Sequence, residues 1–249
     1  MKVVKDVNYA QTNHPQQLLD IYLPNCESFP VFIYFHGGGI ESGDKEGTDV
    51  IAKYLTDKNI AFVTCNYRMY PYASYPEFIK DAAAAVAWVY NNISQYGNAT
   101  KFIVGGSSAG GYLSMMLCFD KKYLAPFKIN PDDINAYIHD AGQPTSHFNV
   151  LREHGFDSRR VIIDETAPIY HVTENPDYSK MLFIVSDDDM ENRYEQTMLM
   201  MSTLKHFNGE CDKFKLKVMN GTHCQYVHSA DENDNNVFAK ICAEYICNL

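Results

Sequence analysis

The sequence predicts a doubly wound α/β sheet, on three observations: short apolar runs recur along the chain, helical patterns separate them, and no repeat or Pro/Gly/Ser linker divides the 249 residues. The runs are LLDIYL (18–23), VFIYF (31–35), IAFVTC (60–65), KFIVGG (101–106), AYIHDA (136–141), MLFIVS (181–186) and FKLKVM (214–219), most of them apolar on both faces. Such strands need helices above and below the sheet. The helical patterns at about 46–58, 76–92, 109–119, 191–207 and 235–247 supply them. Strands separated by helices run parallel, whereas LLDIYL and VFIYF lie a short turn apart and suit an antiparallel hairpin at one edge. The expectation is therefore a mostly parallel mixed sheet in one domain over 1–249. The polar, weakly periodic stretch at about 143–179 is expected to form a small cap insertion.

Composition narrows the function classes. Hydrophobic residues make up 46% of the chain and charged residues 21%, enough apolar side chain for a sizeable core. A formal charge of −10 would repel phosphate backbones and anionic lipid, so no nucleic-acid partner is expected. No apolar run reaches transmembrane length, and the first residues carry no signal-peptide pattern. Seven cysteines, odd in number and without a CxxC pair, fit reduced thiols. The chain as given reads as cytoplasmic, although a trimmed secretion signal would leave the same sequence. Oligomeric state is not legible.

The chemistry concentrates in a few short stretches. Gly106-Ser107-Ser108-Ala109-Gly110 follows an apolar strand and opens the helical run YLSMMLCF. That is the strand-turn-helix context of a nucleophile elbow, in which small flanking residues let a strained serine project. Ser108 is the candidate nucleophile; Ser107 lacks the glycine frame. A plain glycine-rich turn or a phosphate loop is the competing reading, weakened because neither GK[ST] nor GxGxxG is present. His36-Gly37-Gly38-Gly39 ends the VFIYF strand, where the N–H groups of Gly37 and Gly38, with that of Ala109, could hold an oxyanion. His36 itself reads as structural.

The base should follow the nucleophile beyond the last strand, and His223 comes directly after FKLKVM-Asn-Gly-Thr, with His228 in reserve. His139 falls within a strand and His206 on a helix. The orienting acid should come from the end of MLFIVS, where Asp187, Asp188 and Asp189 stand in a row. Spacing does not choose among them, and two of the three are expected to cap the next helix. The acidic run from Asp231 to Asn236 lacks the glycine and glutamate of a calcium loop, and the Met-rich run at Met198, Met200 and Met201 reads as core. No metal and no cofactor are expected.

With these motifs in hand, the sequence resembles the HGGG-bearing esterase and lipase branch of the α/β-hydrolases, including acetyl and feruloyl esterases. LDIYLP, HGGG, the NYR at Asn66 to Arg68, GSSAG, a late strand ending in Asp, and Gly-x-His follow one another in family order over nearly the whole chain. The resemblance implies an α/β-hydrolase fold and a serine esterase acting through an acyl-enzyme on short-chain or carbohydrate-linked esters. It aligns Ser186-Asp187-Asp188-Asp189 with a Gly-x-x-Asp turn and so selects Asp189 as the triad acid, with Asp188 as fallback and Ser in place of Gly as the departure. Ile40 stands where many relatives have an aromatic residue, so the pocket is expected to differ. Two other readings are an arylformamidase-like amide hydrolase and a hydrolase fold kept as a non-catalytic receptor or interaction module.

Overall fold

The alternation of side chains along a strand explains how one sheet divides two cores. In the computed structural model, which describes residues 1–12 and 14–249, Val31, Ile33 and Phe35 point into one hydrophobic cluster. Phe32 and Tyr34 point into the other. These residues belong to β3 (Ser28–Phe35) of an eight-stranded sheet, with β1 (Lys2–Asn8), β2 (Leu18–Leu23), β4 (Ala61–Cys65), β5 (Asn98–Ser107), β6 (Ala136–Asp140), β7 (Lys180–Asp188) and β8 (Phe214–Thr222). The spatial order is β1-β2-β4-β3-β5-β6-β7-β8. β1, β2 and β4 pair antiparallel; every other pairing is parallel.

Helices α1 (Asp49–Asp57) and α6 (Val237–Cys247) cover one face. Helices α2 (Glu77–Asn92), α3 (Ala109–Phe119) and α5 (Arg193–Asn208) cover the other, and a short α4 (Phe148–Glu153) lies between β6 and β7. All eleven residues of α3 are buried. A helix apolar all round belongs in an interior, and α3 runs directly out of the central strand β5.

The expected mixed sheet with helices on both faces is what the structure has, with two corrections. β2 and β3 do not form a hairpin: β4 lies between them and pairs with both. Both edges of β3 are taken by parallel partners. The four residues joining β2 to β3 can reach about 13 Å, enough to cross two strand spacings of roughly 9.6 Å. The second correction is β1, an additional strand. Its residues are largely exposed, so an outermost strand with little to bury carried no apolar run to betray it.

The segment 143–179 contains α4 and a 3-10 turn at Pro168–His171. It is fastened over the glycine run that follows β3. Asn149 Nδ2 donates to the Gly39 carbonyl, and Arg152 pairs with Glu41 at 2.6 Å. Phe148 is packed so closely on Gly39 that a Cβ there would come within 3.0 Å of its ring. Among the described residues, no helix is long and apolar enough to cross a membrane.

Phe62 on β4 is fully buried, with ring centroids 5.6–6.2 Å from those of Tyr22, Phe32 and Tyr34. Phe62→Ala is expected to lower unfolding free energy by about 3–5 kcal/mol, measured by urea denaturation. A loss below about 1 kcal/mol would contradict the packing described.

Candidate active site

The C-terminal ends of the parallel strands deliver every group of the site to one edge of the sheet, the usual place for ligands in such folds. β3 leads into His36 and Gly37, β5 into Ser108, β6 ends at Asp140, β7 leads into Asp189 and β8 into His223.

Ser108 stands between β5 and α3 with φ 55° and ψ −112°. A non-glycine residue in that region is strained by about 1–3 kcal/mol. The flanking glycines are dictated by contact. A Cβ on Gly106 would lie 2.5 Å from both Phe35 O and the Gly110 carbonyl carbon, and one on Gly110 would lie 1.9 Å from Phe35 O. Only a glycine frame allows α3 to start this close to β3. Ser108 N donates to Asp140 O at 2.7 Å, and its hydroxyl faces an open cleft of about 720 Å³.

His223 Nε2 lies 2.8 Å from Ser108 Oγ, and His223 Nδ1 lies 2.5 Å from Asp189 Oδ1. Asp189 is wholly buried at its side chain. Its Oδ2 accepts from Ser186 N at 3.2 Å and its Oδ1 from Met190 N at 2.7 Å. Burial alone would raise this carboxyl, but the His223 hydrogen bond and charge and the two amides outweigh it and hold the pKa below the ordinary value. Among the three consecutive aspartates, Asp189 is thus the one that meets the imidazole. Asp187 accepts from Gly221 N at 2.9 Å and braces the His223 loop, and Asp188 is exposed. The expectation that two of them cap the next helix is corrected: α5 starts four residues beyond Asp189, at Arg193, and its N-cap is Asn192. Ser186, in the place of the expected glycine, donates through its hydroxyl to Thr222 O at 2.9 Å. Its side chain therefore ties the Asp189 turn to the residue before His223. His228 is exposed on the cleft rim.

The glycines after β3 approach the elbow from the other side. A Cβ on Gly37 would lie 3.1 Å from Ser107 O and 3.2 Å from Ser108 Cβ. Tyr67 OH donates to His36 O at 2.9 Å, and His36 Nδ1 donates to Gly37 O at 2.7 Å. Because the C=O and N–H of a trans peptide point opposite ways, these two bonds turn the N–H groups of Gly37 and Gly38 away from the stacked Tyr67 and His36 rings. His36 is buried, and desolvation lowers its pKa. Ala109 heads α3, where a backbone N–H has no acceptor within the helix.

Sequence reasoning missed a buried layer beneath the elbow. Ser107 Oγ accepts from Tyr34 OH at 3.0 Å and donates to Asp140 Oδ2 at 2.5 Å, while Tyr226 OH donates to Asp140 Oδ1. Asp140 thereby connects the strand carrying Ser108 with the loop carrying His223. The sequence signal was an Asp closing the strand AYIHD. His139 is separate, buried with Nδ1 2.8 Å from Ser114 Oγ. Among the described residues, no group of three or more His, Cys, Asp or Glu side chains is placed to hold a metal ion.

Burial pushes the Asp140 carboxyl up to about 7, against the Ser107 and Tyr226 hydrogen bonds that lower it. The native state then keeps a proton that the unfolded chain releases near pH 4. The stability this confers is complete below that pH and declines as pH rises toward 7. Asp140→Asn, which cannot titrate, is expected to flatten the fall in unfolding free energy between pH 4 and 7, measured as urea midpoints at several pH values. Identical slopes in the two proteins would refute the shift.

Comparison with known proteins follows the same outline. Over its full length the chain is similar to the truncated form of a carbohydrate esterase from gut microbiota, with a TM-score of 0.79, 18% identity and 96% of that chain covered. It is also similar to esterase B from Lactobacillus rhamnosis, with a TM-score of 0.77, 18% identity, and 99% of this chain and 86% of that one covered. The fold is that of the α/β-hydrolases. Among curated relatives, carboxylesterase NlhH of Mycobacterium tuberculosis is 33% identical over 93 residues, covering 36% of this chain and 29% of NlhH. The probable isoprenylcysteine alpha-carbonyl methylesterase ICMEL2 of Arabidopsis thaliana is 29% identical over 111 residues, covering 43% of this chain and 26% of the relative. The chain thus spans under a third of the length of these relatives. The family model described as BD-FAE matches residues 19–150, the stretch that carries β2 to α4 with the glycine run and the elbow. That match takes in more than half of the chain, which belongs to the BD-FAE family.

Proposed function

We propose that the protein is a serine carboxylic-ester hydrolase that works through an acyl-enzyme on short-chain or carbohydrate-linked acyl esters. The observation that carries this reading is the unbroken hydrogen-bond chain from Ser108 through His223 to the buried Asp189, at 2.8 and 2.5 Å. The names of the similar proteins, carboxylesterases and a carbohydrate esterase, support the same reaction class.

In this mechanism Ser108 Oγ attacks the ester carbonyl while His223 Nε2 takes its proton. Asp189 accepts from Nδ1, fixing the tautomer and stabilising the imidazolium. The N–H groups of Gly37, Gly38 and Ala109 hold the oxyanion, each worth about 3 kcal/mol in the transition state. The alcohol leaves with the proton from His223, and water then repeats the steps on the acyl-enzyme. The reaction takes its proton relay and its electrostatic stabilisation from these six residues. Segment 143–179, with Phe148 against Gly39, acts as a cap over a single hydrolase domain. All seven cysteines are unpaired, which favours a reducing, cytoplasmic setting.

Ser108→Ala is expected to lower kcat for 4-nitrophenyl acetate by about a thousandfold or more and to abolish labelling by a fluorophosphonate. Equal rates in the two proteins would defeat the nucleophile assignment.

A further inference from the structure

Phe148 and Met190, which both line the Ser108 cleft, also line a second, adjoining cavity of about 230 Å³. This cavity lies between residues 158–161 and the start of α5, and its charge runs against that of the molecule. In a chain with net charge −10, its lining carries Arg159, Arg160 and Arg193 against a single acid, Glu191. Arg159 is engaged with Asp157 at 2.6 Å. Neither Arg160 nor Arg193 has a carboxylate within ion-pair distance among the described residues, where the paired arginines are Arg68, Arg152 and Arg159.

Arg193 is the more telling of the two, being only 4% exposed. Its guanidinium donates to Ala141 O and, at 3.4 Å, to Gln143 Oε1. A buried cation is costly, and the charge of Asp189, beyond ion-pair distance, offsets burial only in part; a guanidinium has five N–H donors in a planar fork suited to a carboxylate. Arg193 is also the first residue of α5, sixteen residues long, so the positive end of the helix dipole adds to the same potential. Asn192 and Gln196 also line the cavity. At the rim of the neighbouring cleft, Glu41 is neutralised by Arg152.

We infer that this cavity is a subsite for a carboxylate carried by the ester substrate a few bonds from the scissile carbonyl, held by Arg193 and Arg160. The inference rests on the esterase reading and narrows it to acidic esters. The carboxylate can belong to the acyl part, as in a dicarboxylic half-ester, or to the alcohol part, as in an ester of a carboxylated alcohol.

Two matched pairs of substrates separate these sources. Mono(4-nitrophenyl) glutarate against 4-nitrophenyl valerate tests the acyl side, and 4-acetoxybenzoate against methyl 4-acetoxybenzoate tests the alcohol side, each rate normalised to alkaline hydrolysis. In one pair the charged ester is expected to have a kcat/KM about tenfold higher, a preference that shrinks with added salt. Arg160→Ala and Arg193→Lys should each pull that ratio toward one, whereas Lys53→Ala on the exposed face of α1 should retain it. Should Arg193→Lys fail to fold, Arg160→Ala decides alone. No preference in either pair, or a preference that both arginine variants keep, overturns the subsite while leaving the esterase intact. If no ester of either pair is turned over, or Ser108→Ala turns them over equally, the esterase reading falls and the subsite with it.

Discussion

The close approach of α3 to the end of β3 is the constraint from which the site follows. With Gly110 pressed on the Phe35 carbonyl and Gly106 lodged against both, the chain must reverse its direction within Ser107 and Ser108. The positive φ of Ser108 is the geometric result. The same contact places Gly37 against Ser108 Cβ, so the hydroxyl and the neighbouring backbone amides are positioned by one packing event. Strain of this size is sustained because α3 is buried over its whole length; the elbow cannot relax without lifting an apolar helix out of the core.

The histidine arm faces a different difficulty. His223 follows β8, an edge strand that pairs with β7 alone among the described residues and has more than half of its residues exposed. An edge strand has half the lateral restraint of a central one, so the loop beyond it needs other ties. Three are present: Ser186 Oγ to Thr222 O, Asp187 to Gly221 N, and Tyr226 OH to Asp140. The first two come from β7 and the third from β6 by way of a buried carboxyl that also holds Ser107. The serine arm and the histidine arm therefore share an anchor, and the 2.8 Å separation between them is set from below as well as across.

What the sequence made legible is what is local. GSSAG after an apolar strand and before an apolar helix is one contiguous pattern and announces its own turn, although the contact that demands its glycines is with the Phe35 carbonyl on β3. His223 was readable as the histidine that closely follows the last apolar run, FKLKVM; the strand itself continues to Thr222. Strand neighbours are not local: whether β2 lies beside β3 or beside β4 depends on which edges β3 has already filled. β1 escaped notice because it buries almost nothing. Three consecutive aspartates are equivalent in spacing and differ only in direction, which a turn of the backbone after β7 decides. Asp140 was hidden for a related reason. A polar residue at the end of an apolar strand reads as a boundary until its partners, Ser107 and Tyr226, are seen to come from 33 and 86 residues away.

The two buried carboxyls near the histidine loop are driven in opposite directions, and this difference separates their roles. Asp189 is supplied with two backbone amides and the imidazole, which together overcome desolvation and keep it ionised. Asp140 receives two hydroxyls, which do not, and the charge of Asp189 raises it further. Were both ionised, two negative charges would sit beneath one imidazole and repel each other in a medium that screens them poorly. Lowering one carboxyl and raising the other places the firmer negative charge on Asp189, against the imidazole, and reduces the charge on Asp140 beside it. The imidazole first, and the two backbone N–H groups after it, separate Asp189 from Asp140, whose desolvation outweighs the two hydroxyls it receives.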